Sequence, residues 1–265
     1  MLKRSLLVLF TVTLGCGGST AASGTGDDAV ESPPDTTAPT AGNEAGSVGA
    51  VATPTAPAAS AAANMQSHFV DVGQAREAVI RGDLEAYRGP LRRVAAASYS
   101  NELPPGWLDG VHAMQETARA AADVRTVADA ALAVASLARV CGECHTETQG
   151  GPEVADTQQM PAPAAGSALE QQMARHDWGA EQMWLGLTGP SRFAWVRGTQ
   201  AIRRDAMQPR TAGRAPTPRP EIEQLHAAAE RAEAAALPAA RATAFGEVLT
   251  RCVGCHAASA ASARH

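Results

Sequence analysis

The pentapeptide Cys141-Gly142-Glu143-Cys144-His145 returns as Cys252-Val253-Gly254-Cys255-His256, and the chain around each copy returns with it. Cys141 and Cys252 are 111 positions apart, His68 and His176 are 108 apart, Tyr87 and Trp195 also 108, and His112 and His226 114. The local text agrees: Met65-x-x-His68 matches Met173-x-x-His176, and Val111-His112-Ala113 with Glu116 matches Leu225-His226-Ala227 with Glu230. The offsets drift only by loop-sized amounts, and a Pro- and Arg-rich insertion around 207–220 lengthens the second copy. Self-similarity at such a period is read before any fold is considered, because each copy must find the same local solution.

That solution is helical. His68, Val72, Ala75 and Val79 step by four, three and four, as do His176, Ala180, Met183 and Leu187, which is one face of a helix. These first helices should end near Gly82 and near Gly189-Pro190. Second helices are expected over 83–98 and 191–206, followed by breakers at Leu103-Pro104-Pro105-Gly106 and Pro218-Arg219-Pro220. Third helices should cover 107–123 and 221–236, and fourth helices 125–145 and 238–256, with Pro238 in a permitted first-turn position. No alternating strand pattern is visible. The fold class is therefore all-α, with two tandem four-helix-bundle units, over 65–150 and 167–258, joined by a linker over 151–166 that would let them hinge. A tail over 259–265 completes the chain. Units this small and this rich in alanine have thin cores and need something else to fill them.

The motif supplies it. Cys-x-x-Cys-His is the attachment pattern of c-type haem. Two thiols add across the two vinyl groups, and the neighbouring imidazole lies under the iron as its proximal ligand. On a helix the three side chains at i, i+3 and i+4 share a face, as this chemistry requires. Competing readings fail individually. A zinc site built from both cysteine pairs would want about 15–20 residues between them, whereas residues 145–251 intervene here. A thioredoxin-like redox site needs a βαβ setting. Two local disulfides leave both histidines unexplained. The sequence thus predicts two covalently bound c-type haems, on Cys141 and Cys144 and on Cys252 and Cys255, with His145 and His256 as proximal iron ligands.

The fifth cysteine, Cys16, stands apart. It follows a basic start, Lys3-Arg4, and an apolar run through Leu6-Leu7-Val8-Leu9-Phe10, the pattern of an export signal over 1–16. Thr13-Leu14-Gly15-Cys16 resembles the bacterial lipoprotein processing box, with Thr13 where that family usually has Leu. The resemblance implies that Cys16 is lipidated and tethers the protein to a membrane. Residues 17–64 are Ala, Gly, Ser, Thr and Pro with scattered acids, a composition that reads as a disordered tether. The net charge of −5 leaves no basic footprint, so nucleic acid is not expected as a partner.

With the motif closing the fourth helix, each unit resembles the cytochrome c′ class of four-helix-bundle c-type cytochromes. More loosely, the whole resembles tandem dihaem cytochrome lipoproteins. The likeness covers about residues 65–258, and the units are shorter than in that class. In such a bundle the start of the first helix faces the haem, so His68 and His176 are the expected sixth ligands, with Met65, Met173, His112 and His226 as alternatives. Histidine would give a low-potential six-coordinate iron, and methionine a higher potential.

The expected function is that of an exported, lipid-anchored dihaem cytochrome c carrying electrons to and from redox partner proteins in the bacterial cell envelope, with no substrate chemistry of its own. The lack of Asp after Cys16 favours the outer membrane. The alternative is a haem protein with one open iron that binds a small ligand or reduces peroxide. That chemistry needs a distal acid–base group.

Overall fold

The computed structural model describes residues 56–99, 103–152, 154, 159–160, 166–203 and 220–262. Among them are eight helices and no strand: α1 (Ala56–Ile80), α2 (Leu84–Ala96), α3 (Leu108–Ala122), α4 (Val127–Thr148), α5 (Ala168–Thr188), α6 (Arg192–Arg203), α7 (Pro220–Glu233) and α8 (Pro238–Ser262). The export signal, Cys16 and most of the expected tether lie outside the described residues.

Helix ends have local causes. At the end of α1, Gly82 N–H donates to Val79 O and Asp83 N–H to Ala78 O. This Schellman stop requires the left-handed conformation that Gly82 adopts at φ 71°. Asp83 then caps α2, its carboxylate accepting from the N–H of Glu85 and Ala86. Thr126 caps α4 through Asp129 N–H. Ser167 and Glu170 form a reciprocal capping box on α5, and those hydrogen bonds hold the Glu170 carboxyl below its ordinary pKa. α1 starts at Ala56 rather than at 65, because the run from Ala58 to Ala63 is made of the strongest helix former with one serine. α8 also outruns its expected end, continuing through Ser262.

Alanine sets the packing. Ala130, Ala131, Ala135 and Ala138 of α4 are fully buried beside Val134 and Leu137. Bulk comes from Tyr87, Trp184, Trp195 and Phe245, the largest side chains withdrawn from solvent in a chain only 4% aromatic. Tyr87 and Trp195 hold matching positions, each the fourth residue of its helix. Trp195 Nε1–H donates to Ala232 O at 2.9 Å.

Helices α1 to α4 pack against one another in chain order, as do α5 to α8. The two halves do not hinge about the segment after His145. α4 runs along α8, α1 also touches α8, α5 also touches α4, and all eight helices belong to one compact unit with a shared core. Contacts across this seam are reciprocal. Gly142 meets Leu187 and Pro190, while at the matching positions Val253 meets Gly82. Phe69 lies against Trp184, ring centroids 6.3 Å apart, while Asp177 and Arg76, at the matching positions, interact as opposite charges. Reciprocity of this kind belongs to a two-fold interface, not to a head-to-tail one.

Candidate functional site

Near the end of α4, Cys141, Cys144 and His145 share a face because they stand at i, i+3 and i+4. Cys141 and His145 line a cleft of about 400 Å³. α1 contributes Met65, His68 and Val72 to its walls, α3 contributes Met114, and Trp107 comes from the turn before α3. Leu185 and Thr188 of α5 close the remaining side. The lining is mostly apolar, with imidazoles and one thiol as its notable polar groups. Cys144 opens onto the adjoining space between α3 and α4, where Gly110 leaves room for its sulfur.

The second cleft, of about 160 Å³, is built the same way. Cys252, Cys255 and His256 come from α8, Met173 and His176 from α5, and Ile222 and Leu225 from α7. Ile80 of α1 enters from the opposite half, at the repeat position that Thr188 holds in the first cleft. Each cleft is thus completed by a residue from the other half of the chain.

All four cysteines of the motifs are free thiols. Burial pushes Cys141 and Cys252 up to about 12, with their partners Cys144 and Cys255 adding to the effect. They therefore stay protonated in neutral solution. Burial likewise holds the His68 ring below its ordinary value, against a smaller upward pull from Asp71. His68 and His176 are each only 7% exposed. A neutral imidazole is the form that ligates iron.

The two clefts differ in detail. His145 Nδ1–H donates to Thr188 O at 2.6 Å, and since a carbonyl can only accept, the proton must sit on Nδ1 and the Nε2 lone pair is left for a metal. The turn after α4, entered through Gln149 at φ 53°, brings Gly151 against the His145 ring. His256 is exposed, and α8 runs straight on beyond it. In the first half, the Tyr99 hydroxyl stands 2.7 Å from His68 Nδ1, the rings meeting edge-on. His176 instead meets His226, centroids 5.9 Å apart and rings nearly perpendicular.

Of the expected ligands, the structure gathers His68, Met65 and His145 at the first cleft and His176, Met173 and His256 at the second. His226 is half-buried against His176. His112 is exposed on α3 and does not line the first cleft, so the two positions matched in sequence have different surroundings. Tyr99, Trp107 and Thr188 were not found by sequence reasoning. Tyr99 has no repeat partner among the described residues, and Thr188 acts through its backbone, which leaves no residue signature.

Among the described residues, no group of three or more His, Cys, Asp or Glu is arranged to hold a bare metal ion. What the two clefts and the space beside the first offer fits an iron porphyrin instead: two thiols one helical turn apart, an imidazole next to them, a buried imidazole on another helix, and mostly apolar walls, with Asp177 and Glu221 also lining the second. Among the described residues no helix is long and apolar enough to cross a membrane. Comparison with protein-family models, with curated proteins and with solved structures yields no match.

Proposed function

We propose that this chain is a dihaem c-type cytochrome of the cell envelope, an electron carrier held to a membrane through lipid on Cys16. In this reading each half is a haem-binding four-helix bundle akin to the cytochrome c′ class. Cys141 and Cys144 hold one haem by thioether bonds and Cys252 and Cys255 the other. His145 and His256 are the proximal ligands, and His68 and His176 the sixth ligands. The bound group supplies one-electron chemistry; the protein holds its ligands, excludes water from the buried face and leaves an edge for redox partners.

One observation carries the proposal. Both Cys-x-x-Cys-His motifs, more than a hundred residues apart, open onto mostly apolar clefts that also hold a buried histidine from the first helix of the same half. Nothing in a merely structural pair of bundles calls for that coincidence twice. Methionine is close by in each cleft, with Met65 and Met173 one turn before the histidines.

The test is mass spectrometry of the mature exported chain, followed by visible and near-infrared spectra. Two haem adducts and low-spin iron at both sites are expected. His68→Ala and His176→Ala should each convert one haem to a high-spin or carbon-monoxide-binding form. Spectra unchanged by both substitutions would move the sixth ligand to Met65 and Met173. Ready carbon monoxide binding by the unaltered reduced protein would favour the ligand-binding or peroxide-reducing alternative. A mature chain without haem would overturn the reading.

A further inference from the structure

We propose that the carboxy-terminal half tunes the iron site of the amino-terminal half: the Thr188 carbonyl, brought onto His145 by the absence of a side chain at Gly142, is a positioning group that makes the two haem sites electronically unequal. This rests on the dihaem reading above.

α5 ends on a carbonyl that needs a partner from outside its own helix. Thr188 is the last residue of α5 and only 2% exposed, so its carbonyl has no partner within its own helix and little access to water. His145 Nδ1–H satisfies it at 2.6 Å, from a helix of the other half. The close approach depends on Gly142, since a β-carbon there would collide with the neighbouring Leu187 carbonyl. Gly151, on the other side, allows the turn after α4 to lie on the His145 ring; a β-carbon there would stand 2.6 Å from His145 Cβ. The imidazole is gripped from both sides.

The second motif lacks these arrangements. Where Gly142 sits, it has Val253, which rests in ordinary contact with Gly82, 3.7 Å from where that residue's β-carbon would be. His256 is exposed, and its ring makes no hydrogen bond among the described residues. Donating Nδ1–H to a carbonyl makes Nε2 a stronger electron donor, which stabilises the more positive iron and lowers the potential. The carbonyl end of α5 acts in the same direction, as the negative pole of its dipole. Ile80, the last residue of α1, brings a like helix end to the second cleft, so the hydrogen bond is what separates the two sites: of the two motif histidines only His145 has a protein acceptor for its ring N–H among the described residues.

The experiment uses the full-length, haem-bearing protein. Gly142→Val puts the second motif's own residue into the first, leaving Cys-x-x-Cys-His intact. Potentiometric titration should show one haem becoming easier to reduce, by about two- to tenfold in its oxidised-to-reduced equilibrium, the scale of one net hydrogen bond. The other haem should stay where it was. Independently, in the unaltered reduced protein labelled with 15N-histidine, the Nδ1–H of His145 should exchange with solvent at least about tenfold more slowly than that of His256, as expected for a buried, bonded proton. If Gly142→Val fails to fold, the exchange measurement decides alone. Two unshifted potentials in a variant that keeps both haems, or equal exchange at the two histidines, would overturn the inference while leaving the dihaem reading intact. Absence of haem by mass would overturn both.

Discussion

The Arg76 guanidinium lies over the Trp184 ring, 5.3 Å from its centroid, and these two residues occupy the same position in the two copies of the repeat. Equivalent positions meet only near a two-fold axis. Arg76 is 8% exposed and also pairs with Glu77 at 2.9 Å and, across the seam, with Glu181 at 2.6 Å. Burial alone would disfavour its charge, but the two carboxylates more than offset this and raise its pKa. Both carboxylates are 41% exposed, so solvent weakens the pairing. Arg76→Ala should therefore cost about 1–3 kcal/mol, made up of lost ring contact, lost packing and a partly screened ion pair. Urea unfolding measures it. A cost no larger than that of an exposed arginine would mean that this seam contributes little to stability.

Tyr87 and Trp195 respond differently to the same replacement. The Tyr87 hydroxyl is buried without a hydrogen-bond partner among the described residues, whereas Trp195 Nε1–H has one. Tyr87→Phe should be neutral or stabilising by up to about 1 kcal/mol, and Trp195→Phe destabilising by about 1–3 kcal/mol from the lost bond and the space left behind. Thermal unfolding of the two variants should show shifts of opposite sign, or one shift near zero.

Thiol reactivity reports the folded state of the chain without bound haem. With pKa values of about 12, Cys141 and Cys252 are thiolates in only about one molecule in ten thousand at pH 8. Alkylation of these two in the haem-free chain should be slow at pH 8, rise tenfold per pH unit, and become fast in urea. The linkage has a definite sign. A thiol pKa raised by folding contributes stability below the unfolded value near 8.5, and that contribution is lost as pH climbs towards 12. Rapid labelling of both at pH 8 without urea would show that the motif ends of α4 and α8 are open before haem is bound.

Tyr99→Phe tests the contact between Tyr99 and His68. The hydroxyl, 2.7 Å from His68 Nδ1, orients that ring; its own proton is held well above the ordinary tyrosine range, first by burial. In the dihaem reading, removing it should leave haem content unchanged and broaden or shift the low-spin signal of one haem in electron paramagnetic resonance, the second site serving as internal reference. An unaltered signal would place His68 off the iron or make its orientation independent of Tyr99.

How much of this was legible in the sequence follows from what each feature is made of. Helix boundaries were within a few residues wherever a side chain marks them: Asp83 before α2, Thr126 before α4, Pro238 opening α8. α1 escaped because its start is plain alanine, which promotes a helix without announcing where it begins. Stripe spacing put His68 and His176 on the inner face of their helices, and the bundle resemblance put them at the same end as the cysteines. The seam between the halves was not legible, since Gly142, Val253 and Gly82 acquire meaning only beside one another, and 151–166 reads in isolation as a flexible joint. The grip on His145 was hidden more deeply still. Its acceptor is a main-chain oxygen that any residue at 188 would supply.

The reciprocal seam has a consequence for assembly. Because the contacts across the seam come in matching pairs, α4 with the end of α5 and α8 with the end of α1, two separate polypeptides can present the same pair of surfaces that one polypeptide presents to itself. Which arrangement wins is a matter of connector length: a joint too short to let the halves fold back would hand each half to a neighbouring molecule, giving an exchanged dimer with the same four-walled chambers. Covalent fusion thus fixes the local concentration of one half around the other, and spares the chain any dependence on finding a mate at the dilution of its compartment.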